Sequence, residues 1–160
     1  REVIIETPLA PATCRTIDTD LVVIPNRRAG IGMLDGILDL LPTARVGFVG
    51  LYRDEETKEP VTYYERFPPQ NKGGPCLVID PMLATGGSTV AALDLLKEQG
   101  ADDIIVICIV TCPEGIAAVE SAHPDVPIFA AAIDKKLDER SYIVPGLGDA
   151  GDRLFGTSHH

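Results

Sequence analysis

The sequence predicts an α/β fold, a mostly parallel sheet flanked by helices. Three observations carry that prediction. Apolar, β-branched runs alternate with segments of helical period, as strand–helix–strand units require. The run at 104–111 is apolar almost throughout rather than alternating, the pattern of a strand buried on both faces. The chain has 160 residues, 45% of them hydrophobic, which suffices for one domain with a real core.

The elements follow in order. Residues 3–6 and 21–25 read as strands. Residues 29–41 place Ile31, Leu34, Ile37, Leu38 and Leu41 at helical spacing, and Pro42 ends that helix. Strands at 45–53 and 61–67 flank a charged turn at 54–60, so they form a hairpin arm. Residues 76–80 are a short apolar strand closed by Asp80. A helix at 88–99 carries Val90, Leu93 and Leu96 on one face and stops at Gly100. The strand at 104–111, a helix at 114–122 and a strand at 128–133 complete the alternation. Right-handed crossovers then bring ligands to the carboxyl ends of the strands. One domain spans 1–157. The tail 158–160 ends in His159 and His160 and reads as an affinity-tag remnant.

Charge and composition exclude several classes. Twenty-four acids against 14 bases give a formal charge of −10. Such a chain lacks the broad basic footprint for nucleic acid, and the basic face for an anionic membrane. No apolar run is long enough to span a bilayer, and no signal-like leader is read at Arg1, so the expectation is a cytoplasmic protein. Cys14, Cys76, Cys108 and Cys112 show no Cys-x-x-Cys spacing and read as free thiols. His123 reads as a helix C-terminal cap.

The chemistry concentrates in Asp80-Pro81-Met82-Leu83-Ala84-Thr85-Gly86-Gly87-Ser88-Thr89. Glycines let the backbone approach an anion, and a helix N-terminus adds partial positive charge. Hydroxyls of Thr85, Ser88 and Thr89 can donate to phosphate. No lysine follows the glycines, so this is not a Walker A loop, and Gly-x-Gly-x-x-Gly is missing. A bare Thr-Gly-Gly-Ser would be an ordinary helix cap; the apolar strand and Asp80 ahead of it favour phosphate binding. Further on, residues 142–153 hold three glycines, a proline and two acids. That composition predicts a shaped loop with exposed backbone groups, not a helix or regular strand. Arg28 opens a helix in Pro25-Asn26-Arg27-Arg28-Ala29-Gly30, and Arg53 stands at the hairpin turn.

The loop at 80–88 resembles the phosphoribosyl diphosphate (PRPP) loop of type I phosphoribosyltransferases. With the run at 142–153, the chain is similar to the uracil phosphoribosyltransferase branch over nearly its whole length. The resemblance implies a C-terminal hood over the site and a further helical segment ahead of Arg1 that this sequence lacks. It implies transfer of the phosphoribosyl group from PRPP to uracil, giving UMP and diphosphate. Arg28, Arg53, Asp80, Pro81, Met82, Leu83, Ala84, Thr85, Gly86, Gly87, Ser88 and Asp149 would bind PRPP. Backbone groups of Ile143, Gly148 and Ala150, beside Asp149, would hold uracil. Arg28, Arg53, Asp80 and Asp149 are the expected catalytic set. Mg²⁺ would be bound mainly through PRPP, with Asp149 as its protein contact. Asp80 would accept from ribose hydroxyls. Where purine members place an acid before the Thr-Gly, this chain has Ala84, so no general base is read. Asn26 and Arg27 stand where the family usually has apolar residues, which weakens the apolar anchoring of that loop. A homo-oligomer, dimer or higher, and GTP as an effector are further implications. The alternatives on the same fold are a regulatory PRPP-binding protein and an inactive fragment or paralogue.

Overall fold

The computed structural model describes residues 1–17, 20–53, 60–68 and 74–157, and for 51–53 and 60–65 the backbone alone. The chain opens with a hairpin, β1 (Glu2–Glu6) and β2 (Pro11–Arg15). Then come β3 (Val22–Pro25), α1 (Arg27–Leu40), β4 (Arg45–Val46), β5 (Phe48–Arg53) and β6 (Pro60–Arg66). The second half holds β7 (Cys76–Leu83), α2 (Gly87–Glu98), β8 (Ile104–Thr111), α3 (Pro113–Ala122) and β9 (Ile128–Ile133). Two short strands, β10 (Lys136–Leu137) and β11 (Ile143–Val144), precede α4 (Ala150–Phe155).

The central sheet is parallel, in the order β4-β3-β7-β8-β9. The chain leaves β3 outward to β4, then crosses back to β7 and proceeds outward on the other side. That reversal is a topological switch point, and it opens a crevice beyond the carboxyl ends of β3 and β7.

The period-2 alternation of the strands sorts their side chains onto two layers. Leu21, Val23, Leu77 and Ile79 pack under Met33, Leu34, Ile37 and Leu41 of the α1 region. Val22, Ile24, Val78, Val106 and Cys108 face the opposite layer, with Ala92, Leu93 and Leu96 of α2 and Val119 of α3. Gly30 lets α1 approach the sheet at backbone distance, since a Cβ there would lie 2.6 Å from the Ile79 carbonyl oxygen.

Several expectations change. The single strand at 45–53 is two: β4 pairs with β3 in the sheet, and β5 pairs antiparallel with β6 as the hairpin arm. β7 does not stop at Asp80 but runs to Leu83. Pro81 is accommodated in the gap between the pairs Asp80↔Cys108 and Met82↔Val110, beyond the last β3 pair, Pro25↔Ile79. β8 is buried on one face, but on the other Ile109 is 46% exposed. The run at 142–153 contains a short strand and the start of α4, where a loop alone was expected. Ile31, one of the residues at helical spacing, is exposed at the crevice. All four cysteines are free, and burial pushes the Cys76 thiol up to about 12 and the Cys108 thiol to about 11. His123 caps α3 as expected, its N–H donating to the Val119 carbonyl at 2.7 Å. The proposed tag remnant at His159 and His160 lies outside the described residues. No helix among the described residues is long and apolar enough to cross a membrane.

Candidate active site

The crevice at the switch point is a cleft of about 820 Å³. Four segments line it: 25–31 after β3, the start of β5, the end of β7 with its loop, and the C-terminal segment 140–151.

The segment after β7 opens α2, the helix its sequence predicts, although β7 itself takes up the first residues of the expected loop. Gly86 is the N-cap of α2, with φ of 80° in the left-handed region that glycine favours. Thr85, Gly86, Ser88 and Thr89 line the cleft, with Met82, Leu83 and Ala84. Pro81 and Gly87 are not among the lining residues; Pro81 is buried in β7.

Three residues that the sequence reading missed hold this loop from behind. Thr111 Oγ1 donates to the Leu83 carbonyl at 2.9 Å, and Cys112 Sγ to the Ala84 carbonyl at 3.4 Å. Gly115 brings α3 so close that a Cβ on it would lie 2.5 Å from the Ala84 carbonyl oxygen. Their sequence signal is weak, because a Thr-Cys-Pro-Glu-Gly strand end reads as any helix start.

Asp80 is 5% exposed at the base of the cleft. Its Oδ1 accepts from the Met82 N–H at 3.1 Å and its Oδ2 from Asn26 Nδ2 at 2.8 Å. Burial pushes its carboxyl up to about 6, against the pull of those two donors and of the Arg27 charge. Asn26, expected to weaken the loop's anchoring, is fully buried and anchors it with polar bonds instead.

The adjacent arginines separate in role. Arg27 has φ of 57° and lines the cleft, exposed, with its charge felt at Asp80. Arg28 also lines the cleft, but its guanidinium is engaged. Nη2 lies 2.7 Å from Asp152 Oδ1, Nη1 donates to Thr157 Oγ1 at 2.7 Å, and the Phe155 ring lies 5.7 Å away. Arg28 therefore straps α4 to the first turn of α1. Arg53 ends β5, and its side chain lies outside the described residues.

The C-terminal segment folds over the cleft as a tied loop. β10 and β11 pair antiparallel, Asp138 accepts from the N–H groups of Arg140 and Tyr142, and Asp134 accepts from that of Gly146. Ile143 is buried against Val110 and Cys112, which pins the loop to the end of β8. Asp149 caps α4, its Oδ1 accepting from the Asp152 N–H at 2.8 Å. Ile143, Gly148, Asp149 and Ala150 all line the cleft, as do Arg140, Ser141 and Tyr142, which the sequence reading did not single out. Among the described residues no three His, Cys, Asp or Glu side chains cluster as a metal cage.

A family model described as uracil phosphoribosyltransferase matches residues 1–157. The uracil phosphoribosyltransferase of Alkaliphilus oremlandii is 57% identical over 157 residues, covering 98% of this chain and 75% of that protein. That of Enterococcus faecalis is 56% identical over 157 residues with the same coverages. Among solved structures, an Aquifex aeolicus protein superposes with a TM-score of 0.86 at 36% identity, covering 100% of this chain and 77% of the other. The adenine phosphoribosyltransferase of Leishmania donovani shares the fold, with a TM-score of 0.56 at 20% identity over 88% of this chain and 70% of its own. A mostly parallel sheet flanked by helices agrees with these likenesses, and the chain belongs to the uracil phosphoribosyltransferase family.

Proposed function

We propose that the chain is a pentosyltransferase of pyrimidine salvage, moving the phosphoribosyl group of PRPP onto uracil to give UMP and diphosphate. The observation that carries this reading is the convergence, on one cleft, of the loop at Thr85–Ser88, Asp80 and the hood residues Ile143 and Gly148–Ala150.

The C1′–O bond to diphosphate breaks, the C1′–N1 bond to uracil forms, and N1 gives up its proton. Ribose gains oxocarbenium character on the way, by analogy with glycoside chemistry. The chain's task is then to hold the leaving group, fix the ribose and aim the base. Backbone N–H groups at the α2 N-terminus take the 5′-phosphate end, where the helix dipole favours an anion. Asp80 accepts from ribose hydroxyls. Arg27, Arg28 and Arg53 offset charge that builds on diphosphate. For Arg28 this means exchanging Asp152 for a phosphate oxygen, so diphosphate arrival and the strap on α4 are coupled. Backbone groups of Ile143, Gly148 and Ala150 read the edge of the uracil ring, and the hood excludes water from C1′.

Mg²⁺ fits this donor set as a metal carried by substrate: Asp149 offers a hard carboxylate at the cleft, and the phosphates supply the other oxygens. When bound, it would neutralise diphosphate charge. A homo-oligomer is part of the same reading, supported by exposed Ile109, Phe129 and Ile133 on β8 and β9. GTP as an effector rests on the family likeness alone.

The test offers PRPP and Mg²⁺ with uracil, cytosine, orotate, hypoxanthine and guanine in parallel. Nucleotide forms with uracil only. Turnover of another base in preference to uracil would overturn the assignment of the hood.

A further inference from the structure

Asn26 follows the apolar strand β3 and is 0% exposed. A primary amide in such a place is destabilising unless it is hydrogen-bonded. Its Nδ2 lies 2.8 Å from Asp80 Oδ2, 3.2 Å from Ser88 Oγ and 3.3 Å from Thr89 Oγ1. Two amide hydrogens serve these three acceptors. The carboxylate, charged and nearest, takes one, and the two hydroxyls share the other. One side chain thus joins three elements: the end of β3, Asp80 in β7 and the first turn of α2. Its own Oδ1 is buried with no hydrogen-bond partner among the described residues. An amide retained in the core with an unmet acceptor indicates that its donor is what the site requires.

We propose that Asn26 is a positioning residue, which fixes the plane of the Asp80 carboxylate and locks it to the first turn of the α2 helix. This rests on the reading of Asp80 as acceptor of the PRPP ribose hydroxyls. Met82 N–H and Asn26 Nδ2 each occupy one Asp80 oxygen, leaving a lone pair on each for a ribose hydroxyl. Without Asn26 the carboxylate keeps one donor, turns about its Cβ–Cγ bond and takes up a proton more readily. The same loss frees Ser88 and Thr89 from the strand, so the phosphate loop and the ribose acceptor no longer share one frame.

The experiment compares Asn26→Leu in the wild-type and in the Asp80→Asn background. It reads kcat, KM for PRPP and the pH profile of kcat/KM, with thermal melting as a check on folding. In the wild-type background, KM for PRPP rises about tenfold or more, with a smaller change in kcat. The acid limb of the profile moves to higher pH, by about one unit. In the Asp80→Asn background the second substitution adds clearly less, because the part of its effect that passes through the carboxylate is already removed and only the release of Ser88 and Thr89 remains. Asn26→Thr, which keeps one donor in a smaller side chain, gives an intermediate rise and serves if Asn26→Leu does not fold. Equal effects of Asn26→Leu in both backgrounds, or an unchanged KM and pH profile in a folded variant, overturn the proposal. An unchanged KM for PRPP in Asp80→Asn alone sinks instead the reading of Asp80, and the inference with it.

Discussion

Asp80→Asn is expected to lower kcat/KM for PRPP by about 100-fold and yet to make the free protein more stable at neutral pH. Both effects come from one buried carboxyl. Its affinity for a proton is raised from 3.8 to about 6, chiefly by burial. The folded chain therefore holds that proton more tightly than the unfolded one. The stabilisation is complete below the unfolded value and is lost as pH rises through about 6. At about pH 8 the ionised form burdens the fold by on the order of 2–3 kcal/mol, the equivalent of two pKa units. Asparagine removes the charge and keeps a carbonyl for Asn26, so it recovers on the order of 1–2 kcal/mol at about pH 8 and close to none near pH 4. Catalysis runs the other way, since on the reading proposed for Asp80 the ribose hydroxyls lose their charged acceptor. In the wild type, kcat/KM for PRPP should fall as pH drops through about 6, where Asp80 takes up its proton. Urea unfolding at the two pH values, with steady-state kinetics, checks both halves. A variant that is both fully active and no more stable would contradict the assignment.

Gly86→Ala is expected to abolish tight PRPP binding and to destabilise the chain. Gly86 combines a left-handed backbone with a lack of room: its φ is 80°, and a Cβ would lie 2.8 Å from that of Ala118 and 3.0 Å from the Gly115 carbonyl oxygen. The backbone strain alone is about 1–2 kcal/mol. The contact with α3 then turns the loop, and the N–H groups that would cradle phosphate turn with it. Gly100→Ala separates the two causes. It has φ of 87°, open space around it and no part in the cleft, so it should show the strain alone. Calorimetric titration with PRPP distinguishes them: binding falls at least about tenfold in Gly86→Ala and is unchanged in Gly100→Ala.

The contrast between these glycines shows what a sequence discloses. Elements that bury an apolar face announce themselves, so β3, β7, β8 and the three long helices were legible from runs and periods. The loop at Thr85–Ser88 was legible because glycine, hydroxyl and strand-end acid stand together in the chain. β2 was not, since Pro11–Arg15 lies on an exposed hairpin with little apolar pattern to mark it. α4 was hidden by the glycines ahead of it, and it gains its order from Asp149 at its cap and the Arg28 strap. Buttresses such as Thr111 and Gly115 act on residues about thirty positions away, and Asn26 reaches Asp80 across 54. Polar contacts at such separations leave no period in one sequence. The same holds for net charge. A formal charge of −10 argues against nucleic acid, yet a polyanionic substrate needs only backbone N–H groups, a few arginines and a metal in one cleft.

In the proposed reaction one cleft holds PRPP intact until uracil arrives and then exchanges diphosphate for the base. The direct measurement is diphosphate release and UMP formation followed together, with and without uracil. One diphosphate per UMP, and almost none without uracil, is the result expected of a site whose hood excludes water. Diphosphate released at the same rate without uracil, or PRPP bound with no UMP formed, would contradict it.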